Sequence, residues 1–124
     1  MKKILVVLSL SLFGCSTYFE YVNKGYASEA KITIKNIHQK AAIYQQEMGG
    51  DYPSDIYELE ESGYLSLSET VQKNWEFELN VDWRGQTGTI TATSTDEMGG
   101  GAGHTVIYDV ETYRFSGTLE EGNK

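Results

Sequence analysis

Two histidines, one cysteine and a set of acids around a glycine-rich stretch are the residues of this 124-residue chain best suited to chemistry. His38 stands next to Ile37 in a long periodic segment, and His104 closes the stretch DEMGGGAGH. A zinc site needs several nitrogen or sulfur ligands at turn or helical spacing, and neither histidine has a Cys or a second His so placed. Both read as ordinary surface residues. Gly99, Gly100, Gly101 and Gly103 lack the strand-to-helix context and the lysine of a phosphate loop, so they read as a flexible loop. No serine sits in a nucleophile-elbow pattern. The expectation is a protein that is not an enzyme.

The acids allow one further chemistry. Asp96 and Glu97 open the glycine-rich stretch, and Asp109 lies in the strand that follows it. Calcium takes six to eight oxygen ligands, some of them loop carbonyls. Asp96, Glu97 and Asp109 are therefore candidate calcium ligands, weighed against plain solvated acids because no EF-hand spacing is present.

Cys15 has a more specific setting. Lys2 and Lys3 precede an apolar run from Ile4 to Phe13, which is followed by Gly14 and Cys15. Ten apolar residues are half of what a membrane-spanning helix needs and fit the central region of a secretory signal. A lone cysteine is ordinarily a buried thiol, but its place after such a run argues against that. Leu12, Gly14 and Cys15 resemble a bacterial lipobox, with Phe13 bulkier than that pattern prefers. Residues 1–14 are thus expected to be a lipoprotein signal peptide, with Cys15 lipidated. Acyl chains anchor through roughly 0.8 kcal/mol per buried methylene. By the same resemblance, Ser16 after the cysteine favours the outer membrane if the cell is Gram-negative. Ten basic residues against 18 acidic ones give a net charge of −8. No cluster of Lys and Arg is present to displace counterions, which excludes nucleic acid as a partner.

Elements must position these groups. From Phe19, apolar residues recur at Val22, Tyr26, Ala30, Ile34, Ile37, Ala41, Tyr44 and Met48. Steps of three and four make one helical stripe. Ser16 or Thr17 can cap its start and Gly49-Gly50 can end it. The stripe is core-like from Ile34 to Met48. Residues 15–30 form an extension in which Tyr18, Phe19, Tyr21, Val22 and Tyr26 are candidate partner contacts, weighed against a merely exposed segment. Ser54 is positioned to cap a short helix that Gly63 would stop, with Ile56, Tyr57 and Leu59 inward. Leu65 and Leu67 lead into an irregular connector. NWEFELNVDWR alternates strictly, with Trp75, Phe77, Leu79, Val81 and Trp83 on one face. TITATST, TVIYDVE and YRFSGTL complete four strands. Helix first and sheet afterwards predict an α+β fold: a long N-terminal helix packed on a four-stranded antiparallel sheet. The globular domain spans 31–119, and 120–124 is a loose tail.

Ser28-Glu29-Ala30-Lys31, then Tyr44, then Gly50, Tyr52 and Pro53, followed by the sheet, resemble the globular part of type IV pilins and type II secretion pseudopilins. The similarity covers about residues 20–117. It implies a pilin-like fold and a structural or assembly subunit of a filament or secretion apparatus. Calcium binding in C-terminal loops of major pseudopilins adds to the calcium expectation, without a residue-by-residue match. The pilin processing motif and long apolar helix are missing, and Glu20 does not correspond to the glutamate of that motif. The expected protein is an exported, lipid-anchored, non-enzymatic envelope protein. It either self-associates or joins pilin-like partners, or serves as a binding module for calcium, a glycan or a partner protein.

Overall fold

Ala27, Ala30, Ile34, Ile37, Ala41 and Tyr44 are all buried, and their spacing in steps of three and four is one face of a helix. That face belongs to α1, Lys2–Glu47. The computed structural model describes the backbone of residues 2–118 and the side chains of residues 25–118. Cys15, Tyr18, Phe19, Tyr21 and Val22 therefore lie outside the described side chains, and the tail 120–124 lies outside the described residues. The helix starts well before the Ser16/Thr17 cap, because the apolar run ahead of it contains no breaker. It ends as expected. Gly49 and Gly50 take φ of 70° and 105°, and the Gly50 amide donates to the Gln45 carbonyl at 2.9 Å. Met48, at 43 % exposure, falls outside the core face because it lies past the last full turn.

After this turn come α2, Ile56–Glu61, and α3, Glu69–Asn74. The N-cap of α2 is Asp55 rather than Ser54: its Oδ1 accepts from the Glu58 amide at 2.8 Å. Ser54 bonds the Glu58 carboxylate instead, through its amide at 3.0 Å and its hydroxyl. Leu59 is fully buried, whereas Tyr57 points out and donates to Glu61 at 2.7 Å. In the stretch expected to be irregular, Ser68 caps α3 by accepting from the Val71 amide at 3.2 Å. Six residues are too few to show a period, so only the cap announces this helix.

The sheet is a meander of neighbours. Strands β1 (Trp75–Asp82), β2 (Thr87–Ser94), β3 (Thr105–Asp109) and β4 (Arg114–Ser116) lie in the order β1-β2-β3-β4, each pair antiparallel. Trp75, Ile90, Ala92, Val106 and Tyr108 are buried on the face toward α1, with Phe77, Leu79, Val81 and Phe115 packed at its margin. The other face carries exposed Glu76, Glu78, Asn80 and Asp82, beside a row of half-exposed threonines. The α+β layout of a helix on a four-stranded antiparallel sheet is thus present.

Two polar ties fasten the helix. Glu29 Oε1 accepts from Asn74 Nδ2 and Trp75 Nε1, both at 3.1 Å, which joins α1 to the start of β1. At the other end Tyr44 donates its hydroxyl to Glu58 Oε1. With Ser54 also bonding that carboxylate, the Glu58 carboxyl is held down at about 2. The same hydrogen bond to Glu58 is the main cause that pushes the Tyr44 phenol up to about 12.

Candidate functional site

The turn that ends α1 builds a cleft with the end of β1. Pro53 is buried, and its carbonyl accepts from Trp83 Nε1 at 3.2 Å. That bond fixes the indole plane. Tyr52, half-buried, stacks on it with centroids 5.8 Å apart and planes 5° from parallel. Asp82 Oδ1 accepts from the Gly85 amide at 3.2 Å and shapes the turn after β1. Gly50, Asp51, Tyr52, Val81, Asp82, Trp83 and Arg84 then line an open cleft of about 290 Å³. Its walls hold two carboxylates and one guanidinium beside a stacked aromatic pair. That combination can hydrogen-bond hydroxyls and stack a ring; it contains no nucleophile paired with a base.

Aromatic contact continues behind the cleft. His38 sits 6.1 Å from Trp83, 5.7 Å from Tyr108 and 6.3 Å from Tyr113, centroid to centroid. It is half-buried rather than the surface residue expected, since β3 and the following turn fold their rings over it. Burial lowers its pKa below the usual histidine value. Tyr113, 69 % exposed, reaches the stack from a left-handed backbone with φ of 60°. Its amide bonds the Asp109 carbonyl at 2.8 Å. Tyr108 lies 4.8 Å from Phe115, over which Lys31 and Lys35 place their ammonium groups at 5.4 and 5.7 Å.

Family models, curated proteins and solved structures give no match to the chain.

The candidate calcium ligands do not converge. Thr105 pairs with Thr93 beside the glycine-rich loop, whereas Asp109 pairs with Thr89 at the far end of β3. Four residues of strand separate them by about 13 Å. Asp109 accepts from the amides of Glu111 and Thr112 at 2.8 and 3.1 Å and turns the chain toward β4. Asp96 and Glu97 are exposed beside the loop. Among the described residues, no three His, Cys, Asp or Glu side chains group to hold a metal.

The glycine-rich loop is tied to the end of β2 by hydrogen bonds. Met98 is buried, and Ser94 Oγ donates to the Gly101 carbonyl at 2.6 Å and accepts from the His104 amide at 2.9 Å. A ring nitrogen of His104, Nε2, lies 3.0 Å from the Gly100 carbonyl. Tyr26 packs its ring against Gly99, so this candidate partner contact is half-occupied by the chain's own loop. The other candidates, Tyr18, Phe19, Tyr21 and Val22, and the lipidation candidate Cys15 lie outside the described side chains. Sequence reasoning missed the cleft. Its signals were Tyr52-Pro53 and the Trp83-Arg84 strand end, both visible as fold features but far apart in sequence. Among the described residues, no helix is long and apolar enough to cross a membrane.

Proposed function

We propose that the chain is a lipid-anchored envelope protein without catalytic activity, whose pilin-like domain serves as a structural or assembly subunit. The observation that carries this reading is α1 with its buried stripe from Ala27 to Tyr44, laid across an antiparallel four-stranded meander. It is the arrangement that the pilin resemblance of residues 20–117 implies. The order Lys2-Lys3, apolar run, Gly14-Cys15 supports the anchor. The acyl group of Cys15 takes the place that a long apolar helix holds in pilins, with residues 15–30 between anchor and domain. Mass spectrometry of the mature N-terminus tests the anchor: an acylated Cys15 is expected, and an intact Met1 overturns it. Electron microscopy with cross-linking of the native envelope tests assembly, and a strictly monomeric protein there removes the subunit role.

A second reading, a lipid-anchored binding module that forms no filament, is favoured by the cleft between the end of α1 and the end of β1. It shares the anchor and differs in what the domain presents outward. Calcium as its ligand has little support from the placement of Asp96, Glu97 and Asp109.

A further inference from the structure

The cleft at Tyr52 and Trp83 has a size, a floor and a wall that together select a ligand class. At about 290 Å³ it lies at the small end of ligand sites and suits one six-membered ring. Its aromatic pair is already ordered. The indole is pinned by the bond to the Pro53 carbonyl, and Tyr52 lies parallel to it. A ring that stacks there would find its platform set in advance, so little ordering entropy is lost on binding.

The wall decides between ligands. An anion would face Asp51 and Asp82 together with the negative C-terminal end of α1. A cation would face Arg84. A neutral polyol is suited to both signs, because each hydroxyl donates one hydrogen bond and accepts others. Asp82 commits Oδ1 to the Gly85 amide, and its Oδ2 has no hydrogen bond among the described residues. Arg84 is exposed and has neither an ion pair nor a hydrogen bond among the described residues. Its fork of donors can span two adjacent hydroxyls, and a carboxylate can accept from such a pair. Sugar rings also carry a face of C–H groups that packs on aromatic rings, which is what Tyr52 over Trp83 offers.

The geometry points to a saccharide site: the cleft binds one neutral pyranose unit, stacked on Tyr52 and held by Asp51, Asp82 and Arg84. The site names the ligand for the binding-module reading and rests on that reading, not on filament assembly. It is equally independent of the anchor, which fractionation of the envelope reports separately.

The test uses the full chain in a zwitterionic detergent without a sugar headgroup. Glucose, galactose and N-acetylglucosamine are titrated while the two indole N–H signals are followed by nuclear magnetic resonance, assigned with Trp75→Phe. The expected result is a saturable shift of the Trp83 signal with at least one sugar, with Kd in the millimolar range usual for so small a ligand. The Trp75 signal, from an indole buried between the sheet and α1 and bonded to Glu29, stays in place. Arg84→Ala and Asp51→Asn alter exposed side chains and should leave the rest of the spectrum unchanged while weakening binding about tenfold or more. The proposal is overturned if no sugar gives a saturable Trp83 shift, or if both variants bind as tightly as the parent. It is also overturned if choline chloride shifts the Trp83 signal and the sugars do not, since the cleft would then be a cation site.

Discussion

Protonating Glu58 takes an acceptor away from Tyr44 and from the two donors of Ser54 at once. Its carboxyl titrates at about 2 in the fold and at 4.5 in a free chain. The folded state therefore binds fewer protons than the unfolded one between these values, so this stabilisation is complete above about pH 4.5 and disappears toward pH 2. Tyr44 gives the opposite limb. Its phenol titrates at about 12 in the fold against 10 when free, so its contribution is complete below pH 10 and is lost as pH rises to 12. Urea midpoints measured across both ranges should show both losses, and Glu58→Gln should flatten each of them. His38 acts in a third window. Burial disfavours its charged form, so stability should fall as pH drops below about 6.5, and His38→Phe should remove that slope. Glu29 is a tie of another kind. Glu29→Ala leaves Asn74 Nδ2 and the Trp75 indole without their acceptor in a buried setting, at a cost of about 1–3 kcal/mol in chemical denaturation.

At the scale of elements, the helix–sheet contact dominates. Ile37 is fully buried, and Ile37→Ala should lower the unfolding free energy by about 2–5 kcal/mol through lost burial and a residual cavity. Ile32, 70 % exposed on the opposite face of α1, should change it by no more than about 0.5 kcal/mol as Ile32→Lys. Gly88 lets β2 follow β1: at φ of 108° a Cβ would run into the Asn80 carbonyl and the Val81 backbone. Gly88→Ala should cost upwards of about 1 kcal/mol, read from the same chemical denaturation. Periodicity made α1 and the alternating strands legible, because burial repeats over many residues there. Ile34, Ile37, Ala41, Phe77 and Leu79 all face as their spacing implies. Short elements were not legible in that way. Tyr57 and Leu59 lie in a helix of six residues, too short for a repeat to settle each facing: Ile56 and Leu59 turn to the core as expected, whereas Tyr57 turns out.

For the whole molecule, the site residues were the hardest to foresee. Asp51 and Tyr52 meet Asp82, Trp83 and Arg84 only because α1 ends where β1 ends, and no local pattern encodes that coincidence. Asp109 shows the converse, since a strand carries its last residue away from the loop that precedes it. The proposed anchor has its own prediction: if Cys15 is acylated, Cys15→Ser should move the protein from the membrane pellet to the soluble fraction without changing the melting of the domain, as immunoblots of the two fractions would show. The strand order leaves one consequence for how the chain acquires its shape. Each strand joins the one just before it, so the meander closes only short loops, which takes microseconds for a hairpin. The joining of α1 to β3 spans most of the sequence and closes a far larger loop. Docking of the helix is thus expected to be the slow event, so that Ile37→Ala retards refolding while changes confined to the β3–β4 turn chiefly hasten unfolding.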